Sequence, residues 1–193
     1  MSDHDPRPGG SPVDDGRGAP APGPLARVVV MGVTGAGKTT VGRVLGRDLE
    51  VPFLDADDFH SPTAIASMRA GDPLDGEQRR PWLRRVNAAL RELTDGVVLA
   101  CSALERSYRD VLREGVHGLR FVFLDVDASV LAARLRSRVG HFAGVDLLPS
   151  QLAALELSDD VLPVRVPSAA TPEAVASSVL HALGITPPST SRS

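Results

Sequence analysis

The chain has 193 residues, 42% of them hydrophobic, and a formal net charge of −3, values typical of one soluble domain with its own core. The 24 acidic residues outnumber the 21 basic ones, so we expect no nucleic-acid partner. A single cysteine excludes an intrachain disulfide, and no apolar run approaches the roughly 20 residues that span a bilayer. We therefore expect a cytoplasmic protein with no membrane partner.

The two ends of the chain are predicted to be disordered tails. Residues 1–24 contain six prolines and five glycines, and they offer too little apolar surface to offset the entropy lost on ordering. Residues 186–193, which are all Thr, Pro, Ser or Arg, are also predicted to be disordered. The folded domain is therefore expected over residues 25–185.

Five short apolar runs alternate with helical patterns along this domain. We predict strands over residues 26–31, 51–54, 97–101, 119–124 and 161–166. We predict helices over residues 38–49, 62–69, 75–93 and 127–138, one that Ser102 and Glu105 cap, and a last one that Thr171 opens and Gly184 closes. This alternation favours an α/β fold in which helices cover both faces of a parallel sheet and ligands bind at the carboxyl ends of the strands.

The segment between the first strand and the first helix matches the phosphate-loop pattern G-x-x-x-x-G-K-[ST]. It comprises Gly32, Val33, Thr34, Gly35, Ala36, Gly37, Lys38 and Thr39, and Thr40 follows it. Glycines let successive backbone N–H groups turn toward a phosphate, and the helix N-terminus adds a partial positive charge. Lys38, the only lysine in the chain, can reach the β- and γ-phosphates, and the Thr39 hydroxyl can bind Mg²⁺. We therefore expect this segment to bind ATP.

Two carboxylates, Asp55 and Asp57, follow the second predicted strand. They should open at the sheet edge beside the phosphate loop, where one can hold a Mg²⁺-bound water and the other can orient a substrate hydroxyl and accept its proton. Asp125, at the end of the fourth strand, is a competing metal ligand, but it lies farther along the chain from the loop. The guanine-reading pattern N-K-x-D is excluded because the only lysine lies in the loop.

Two arginines on one predicted helix face, Arg134 and Arg138, lead into a glycine-containing segment over residues 139–144. Such a segment is typical of a hinged lid that brings cations onto the phosphates and excludes water. We predict a lid over about residues 134–152.

Taken together, these motifs resemble the gluconokinase family. The matching segments are MGVTGAGKTT, FLDADDFHSP, GDPLDGEQRRPWL, CSALERSYRDVLREG and RLRSRVGHF…LLPSQLAALE, in that order between residues 28 and 156. The resemblance implies a three-layer phosphate-loop kinase fold with a five-stranded parallel core sheet and a lid, related to shikimate and nucleoside-monophosphate kinases. It also implies a homodimer that uses ATP and Mg²⁺ to phosphorylate the 6-hydroxyl of D-gluconate.

The resemblance also implies roles for individual residues. Asp55 would serve the metal through water, beside Thr39, and Asp57 would bind the substrate hydroxyl. The residues that would line the sugar-acid pocket are His60, Arg79, Tyr108 and Arg109. Lys38, Asp57 and Arg138 would be catalytic, with Arg138 on phosphate and Arg134 nearer the base. Two alternatives stay open: a kinase for another small hydroxy-acid or nucleotide, and a nucleotide-dependent switch without an acceptor.

Overall fold

The computed structural model describes residues 26–69, 76–137 and 143–188. The predicted tail over residues 1–24 lies outside this range, as do residue 138 and the middle of the predicted lid. Residues 186–188 are described and have no regular secondary structure.

Five parallel strands form one sheet in the order β2-β3-β1-β4-β5. The strands are β1 (Arg27–Met31), β2 (Phe53–Asp55), β3 (Val97–Ala100), β4 (Arg120–Asp125) and β5 (Val161–Arg165). All five predicted strands are confirmed, and their ends differ by at most two residues from the prediction. The central strand β1 lies between β3 and β4 and is fully buried after its first residue, which explains its continuous apolar sequence. The carboxyl ends of all five strands meet at one edge, where we expected the site.

Helices α1 to α6 lie between consecutive strands, and α7 follows the last strand. They are α1 (Lys38–Asp48), α2 (Pro62–Arg69), α3 (Gly76–Glu92), α4 (Arg106–Arg113), α5 (Ala128–Ser137), α6 (Ala143–Ala153) and α7 (Pro172–Leu183). The connection from β1 to β2, which contains α1, crosses the sheet in one direction, and the later connections cross it in the other direction. Because such connections are right-handed, α1 lies on the face opposite α3 and α4. Accordingly, α1 packs against α7, and α3 packs against α4. None of the described helices is long and apolar enough to cross a membrane.

Two of the helices, α7 and α4, illustrate capping by neighbouring and by distant residues. The last helix begins and ends as predicted: the Thr171 hydroxyl accepts the N–H of Ala174, and Gly184 takes the left-handed conformation. The predicted cap at Ser102 is wrong, because α4 begins only at Arg106. There the carboxylate of Glu156, 50 residues later, accepts the Arg106 N–H at 2.7 Å.

Helix α6 replaces part of the predicted glycine-hinged lid. The sequence did not predict a helix here, because Gly144 and Pro149 are both poor helix formers, yet Pro149 lies inside α6. The predicted lid therefore contains the end of α5, the undescribed residues 138–142, and most of α6.

The close approach of α1 to β2 depends on a glycine. A Cβ atom added to Gly42 would lie 2.6 Å from Cε2 of Phe53, at the start of β2, so only glycine fits without movement. Thr39 lies three residues before Gly42 and therefore shares its helix face. This packing brings Thr39 to the end of β2.

Candidate active site

The phosphate loop forms the tight turn that its sequence predicts, between β1 and α1. Gly35 and Gly37 have φ angles of 80° and 96°, which side chains with a Cβ rarely adopt. A Cβ on Gly35 would also lie 3.3 Å from the side chain of Leu135 on α5, so the loop packs directly on that helix. The Lys38 ammonium donates a hydrogen bond to the Val33 carbonyl at 3.2 Å and thus folds back over the loop.

The predicted metal-binding pair is assembled. The Thr39 hydroxyl donates to Oδ2 of Asp55 at 2.8 Å. The other carboxylate oxygen of Asp55 accepts the backbone N–H of Asp57 at 3.2 Å and so caps a 3-10 turn over Ala56–Phe59. Asp55 therefore joins the phosphate loop to the turn that carries Asp57.

Asp57 projects from this turn into the open end of the sheet, with 87% of its side-chain surface exposed. Desolvation by the surrounding protein raises the pKa of Asp57 above its ordinary value, and the negative charge of Asp55 raises it further. Because the side chain is so exposed, the Asp55 charge contributes more to this rise than desolvation does. The Lys38 ammonium acts on Asp57 in the opposite direction. Asp57 is therefore an accessible carboxylate within electrostatic reach of the loop lysine.

His60 lies three residues after Asp57 and stacks on Trp82 of α3. The two rings stack with centroids 4.5 Å apart and planes 10° apart, and the indole N–H of Trp82 donates to the Ala56 carbonyl at 2.7 Å. His60 Nε2 is 3.9 Å from a carboxylate oxygen of Asp57. Burial lowers the pKa of His60, so the imidazole is neutral near pH 7. Among the described residues, its buried Nδ1 atom has no hydrogen-bond partner, so one polar atom of this pocket is unsatisfied.

Arg79 and Tyr108, which the resemblance places in one pocket, are in contact. The Arg79 guanidinium donates to the Tyr108 hydroxyl at 3.0 Å and lies 3.9 Å from a carboxylate oxygen of Glu105. Burial raises the pKa of the Tyr108 hydroxyl, and its hydrogen bond to Glu105 raises it further. The positive charge of Arg79 also contributes to the lowered pKa of His60, so these groups lie near enough to interact.

The structure gives Arg109 a different environment from the one predicted. Its side chain is fully buried, and all five N–H donors are occupied. They bind the carboxylate of Asp160, the Ser158 hydroxyl and the carbonyls of Ala103 and Leu104. We therefore correct the assignment of Arg109 to the sugar-acid pocket: in this conformation it ties α4 to the segment before β5 and has no donor left for a substrate.

Besides the packing of Leu135, two hydrogen bonds of the described residues join the predicted lid to the phosphate loop. Arg134 of α5 donates to the Gly35 carbonyl at 3.4 Å, and Gln151 of α6 accepts the Thr34 N–H at 2.6 Å. Arg138 lies outside the described residues, so its role on phosphate stays a prediction. The competing metal candidate Asp125 forms an ion pair with Arg165 at 3.1 Å.

Cys101, just after β3, lies near the charged groups of both the phosphate loop and the 3-10 turn. Burial raises the pKa of its thiol to about 12, and the charges of Lys38, Asp57 and Asp55 all act on it. The phosphate loop, which follows β1, and the turn with Asp57, which follows β2, therefore meet around the carboxyl end of β3, the strand between them.

Sequence reasoning did not assign Trp82, Gln151 or Glu156 to this site, and it predicted Glu105 only as a helix cap. Trp82 carried one usable signal, because it is the only tryptophan in the chain and lies three residues after Arg79 on the same helix. The contacts of Gln151 and Glu156 span 117 and 50 residues, and no local pattern indicates them.

Comparison with known proteins shows the family. The shikimate kinase family model matches residues 34–144. The gluconokinase of Gluconobacter oxydans is 45% identical over 152 residues, covering 77% of this chain and 85% of that protein. The gluconokinase of Arabidopsis thaliana is 39% identical over 170 residues, covering 80% of this chain and 90% of that protein. The chain belongs to the gluconokinase family.

A solved member of the gluconokinase family has the same fold. The crystal structure of a gluconokinase from Sinorhizobium meliloti matches with a TM-score of 0.73 at 38% identity, covering 83% of this chain and 93% of that chain. The resemblance drawn from the sequence motifs is therefore confirmed, and so is the three-layer phosphate-loop kinase fold.

Proposed function

We propose that this member of the gluconokinase family transfers the γ-phosphoryl group of ATP to the 6-hydroxyl of D-gluconate. The observation that carries the proposal is the assembly of the phosphate loop, the Thr39–Asp55 pair and Asp57 at one edge of the sheet. Family membership over most of the chain supports gluconate as the acceptor.

Nucleotide binding falls to the phosphate loop. Backbone N–H groups of the phosphate loop and of the start of α1 would hold the phosphates, and Lys38, which contacts the Val33 carbonyl, would also contact the β- and γ-phosphates. Arg134, already on the Gly35 carbonyl, would act from the lid side together with Arg138.

The residues present fit a magnesium ion. A hydroxyl and a carboxylate lie side by side in Thr39 and Asp55, and Mg²⁺ usually takes one or two such oxygens together with substrate phosphates. Thr39 would bind the ion directly and Asp55 through water. When bound, the ion would neutralise charge on the phosphates.

The acceptor would bind between the 3-10 turn and helices α3 and α4. Asp57 would orient the 6-hydroxyl, and Nε2 of His60, 3.9 Å from Asp57, would bind another hydroxyl group. Arg79, with Tyr108, supplies a planar cation that suits the carboxylate of a sugar acid.

The proposed phosphoryl transfer is balanced in atoms and electrons. The oxygen of the 6-hydroxyl forms a bond to the γ-phosphorus as the bond between that phosphorus and the β–γ bridging oxygen breaks. ADP leaves with the electron pair, and Asp57 accepts the hydroxyl proton. The predicted cytoplasmic location and homodimeric assembly stay predictions.

A shikimate acceptor is the alternative that a specific observation favours, because the matching family model is that of shikimate kinases. A coupled assay of ADP release with gluconate, shikimate, AMP or no acceptor separates the possibilities. We expect release that depends on gluconate. Release only with shikimate or AMP would reassign the acceptor, and slow release that no acceptor stimulates would indicate a nucleotide switch.

A variant of the loop lysine tests in the same assay whether turnover depends on the phosphate loop. Lys38→Ala should remain folded and lose about 10²- to 10³-fold in gluconate-dependent turnover, since it removes one preorganised charge from the transferred group. Near-normal turnover would refute the assignment of the phosphate loop.

A further inference from the structure

Helix α6 makes a hydrogen bond to the phosphate loop that the proposed chemistry does not use. The backbone N–H of Thr34 donates to Oε1 of Gln151 at 2.6 Å, although the two residues are 117 positions apart. Because an N–H donor needs an acceptor, this contact also fixes which end of the carboxamide faces the loop. Gln151 is only partly buried, so the contact lies at the border of the open site.

The same peptide unit is held from its other side by the catalytic lysine. The carbonyl of Val33 and the N–H of Thr34 belong to one planar trans peptide, in which these two groups point in opposite directions. The Lys38 ammonium contacts the carbonyl at 3.2 Å, and Gln151 accepts the N–H. Fixing the direction of the N–H therefore also fixes the direction of the carbonyl that Lys38 contacts.

The C-terminal end of α6 is anchored, so Gln151 acts from a fixed position. Five residues after Gln151, the backbone N–H of Glu156 donates to the Leu104 carbonyl at 3.0 Å. The carboxylate of Glu156 accepts the Arg106 N–H at the start of α4. The segment between Gln151 and Glu156 thus connects the phosphate loop to the helix that carries Tyr108.

We propose that Gln151 is a positioning residue, which holds the Val33–Thr34 peptide in the orientation that the phosphate loop needs for nucleotide binding. Its effect passes through the loop and Lys38, and Gln151 itself does not contact the phosphates. Without this acceptor, the peptide is held only from its carbonyl side, by the Ala36 N–H and by Lys38. The nucleotide must then order the loop on binding, which weakens its affinity.

The test measures nucleotide binding directly, by titration calorimetry with Mg²⁺-ADP in the absence of any acceptor. Gln151→Met keeps the side-chain length and removes the acceptor, and it should weaken ADP binding roughly 3- to 10-fold, the size of one net hydrogen bond. Leu152→Met introduces the same side chain at an exposed neighbouring position and should bind ADP like the unsubstituted protein. Thermal melting of both variants separates a positioning effect from a loss of folding.

A second variant distinguishes positioning from direct phosphate contact. Gln151→Glu keeps an oxygen that accepts the Thr34 N–H, so it should bind ADP more tightly than Gln151→Met does. Weaker binding by Gln151→Glu than by Gln151→Met would place the side chain against the phosphates and overturn the proposal. Unchanged ADP affinity in Gln151→Met would overturn it as well. Because no acceptor is present, these results stand apart from any failure of gluconate turnover.

Discussion

The nucleotide side and the acceptor side of this active site are built in different ways. The nucleotide side is one contiguous loop over residues 32–39, whose backbone N–H groups and single lysine are adjacent in sequence. The proposed acceptor side gathers Asp57 from a 3-10 turn, His60 directly after that turn, Arg79 from α3 and Tyr108 from α4. These side chains are joined by contacts between residues more than 20 positions apart, such as Arg79 with Tyr108.

The difference shows where specificity and chemistry are encoded. Phosphates are alike in every nucleotide, so a loop of backbone N–H groups suffices to bind them. A polyhydroxy acid needs side chains in fixed relative positions, and those positions depend on the packing of α3 and α4. Substitutions on the nucleotide side should therefore act on binding and rate together, whereas those on the acceptor side should separate the two.

The largest expected effect is that of Asp57→Asn. The amide cannot accept the hydroxyl proton, so kcat should fall about 10²- to 10⁴-fold, while the affinity for ADP stays unchanged. Coupled ADP release and calorimetry measure the two quantities. Asp58→Asn, an exposed neighbour in the same turn, should leave both unchanged. If Asp57→Asn lost as much ADP affinity as Lys38→Ala does, the nucleotide side and the acceptor side would not be separate.

A loss of stability, with no effect on substrate binding, is expected for Arg109→Met. Removing this buried guanidinium leaves two carbonyls and part of Asp160 without their donors, which should lower the free energy of unfolding by about 3–5 kcal/mol. Arg113→Met removes a partly exposed partner of the same Asp160 and should cost less. Urea unfolding measures both. A variant of normal stability with a raised KM for gluconate would return Arg109 to the acceptor pocket.

A smaller effect is expected for Gly42→Ala, which tests the packing beneath the nucleotide side. The new Cβ would displace the Phe53 ring and separate α1 from β2, so we expect about 1–2 kcal/mol less stability and lower turnover. Gly76→Ala, at the start of α3, meets no atom within 4 Å and should cost nothing. Equal stability of the two variants would show that the close approach of α1 is not needed.

Local signals predicted most of the fold, and distant contacts account for what they missed. The apolar run of β1, the glycines and lysine of the loop, and the caps Thr171 and Gly184 are each readable within a few residues. The cap of α4 was wrong because its acceptor is Glu156, and α6 was missed because Pro149 disfavours a helix locally. On the site, the position of Asp55 and Asp57 beside the loop followed from strand topology, and the pairing of Asp55 with Thr39 followed from the family resemblance. The environment of Arg109 did not, since Ser158 and Asp160 lie about 50 residues away.

The smallest expected effect is a change in the pH dependence of stability at His60. Burial lowers the folded-state pKa of His60 below its ordinary value near 6.5, and the positive charges of Arg85 and Arg79 lower it further, while Asp57 opposes the shift. Between the folded-state and unfolded-state pKa values the unfolded chain binds more protons, so this contribution is complete above pH 6.5 and is lost as the pH falls.

Urea midpoints at about pH 7.5 and 5.5, on either side of the ordinary histidine pKa, measure this contribution. The unsubstituted protein should lose more stability between the two values than His60→Gln, in which the titrating group is gone and Asp57 and the other carboxylates remain. The raised pKa of Asp57 has the opposite sign and begins from an ordinary value of 3.8, below this pH range. Equal losses in the two proteins would mean that burial against Trp82 does not hold His60 neutral.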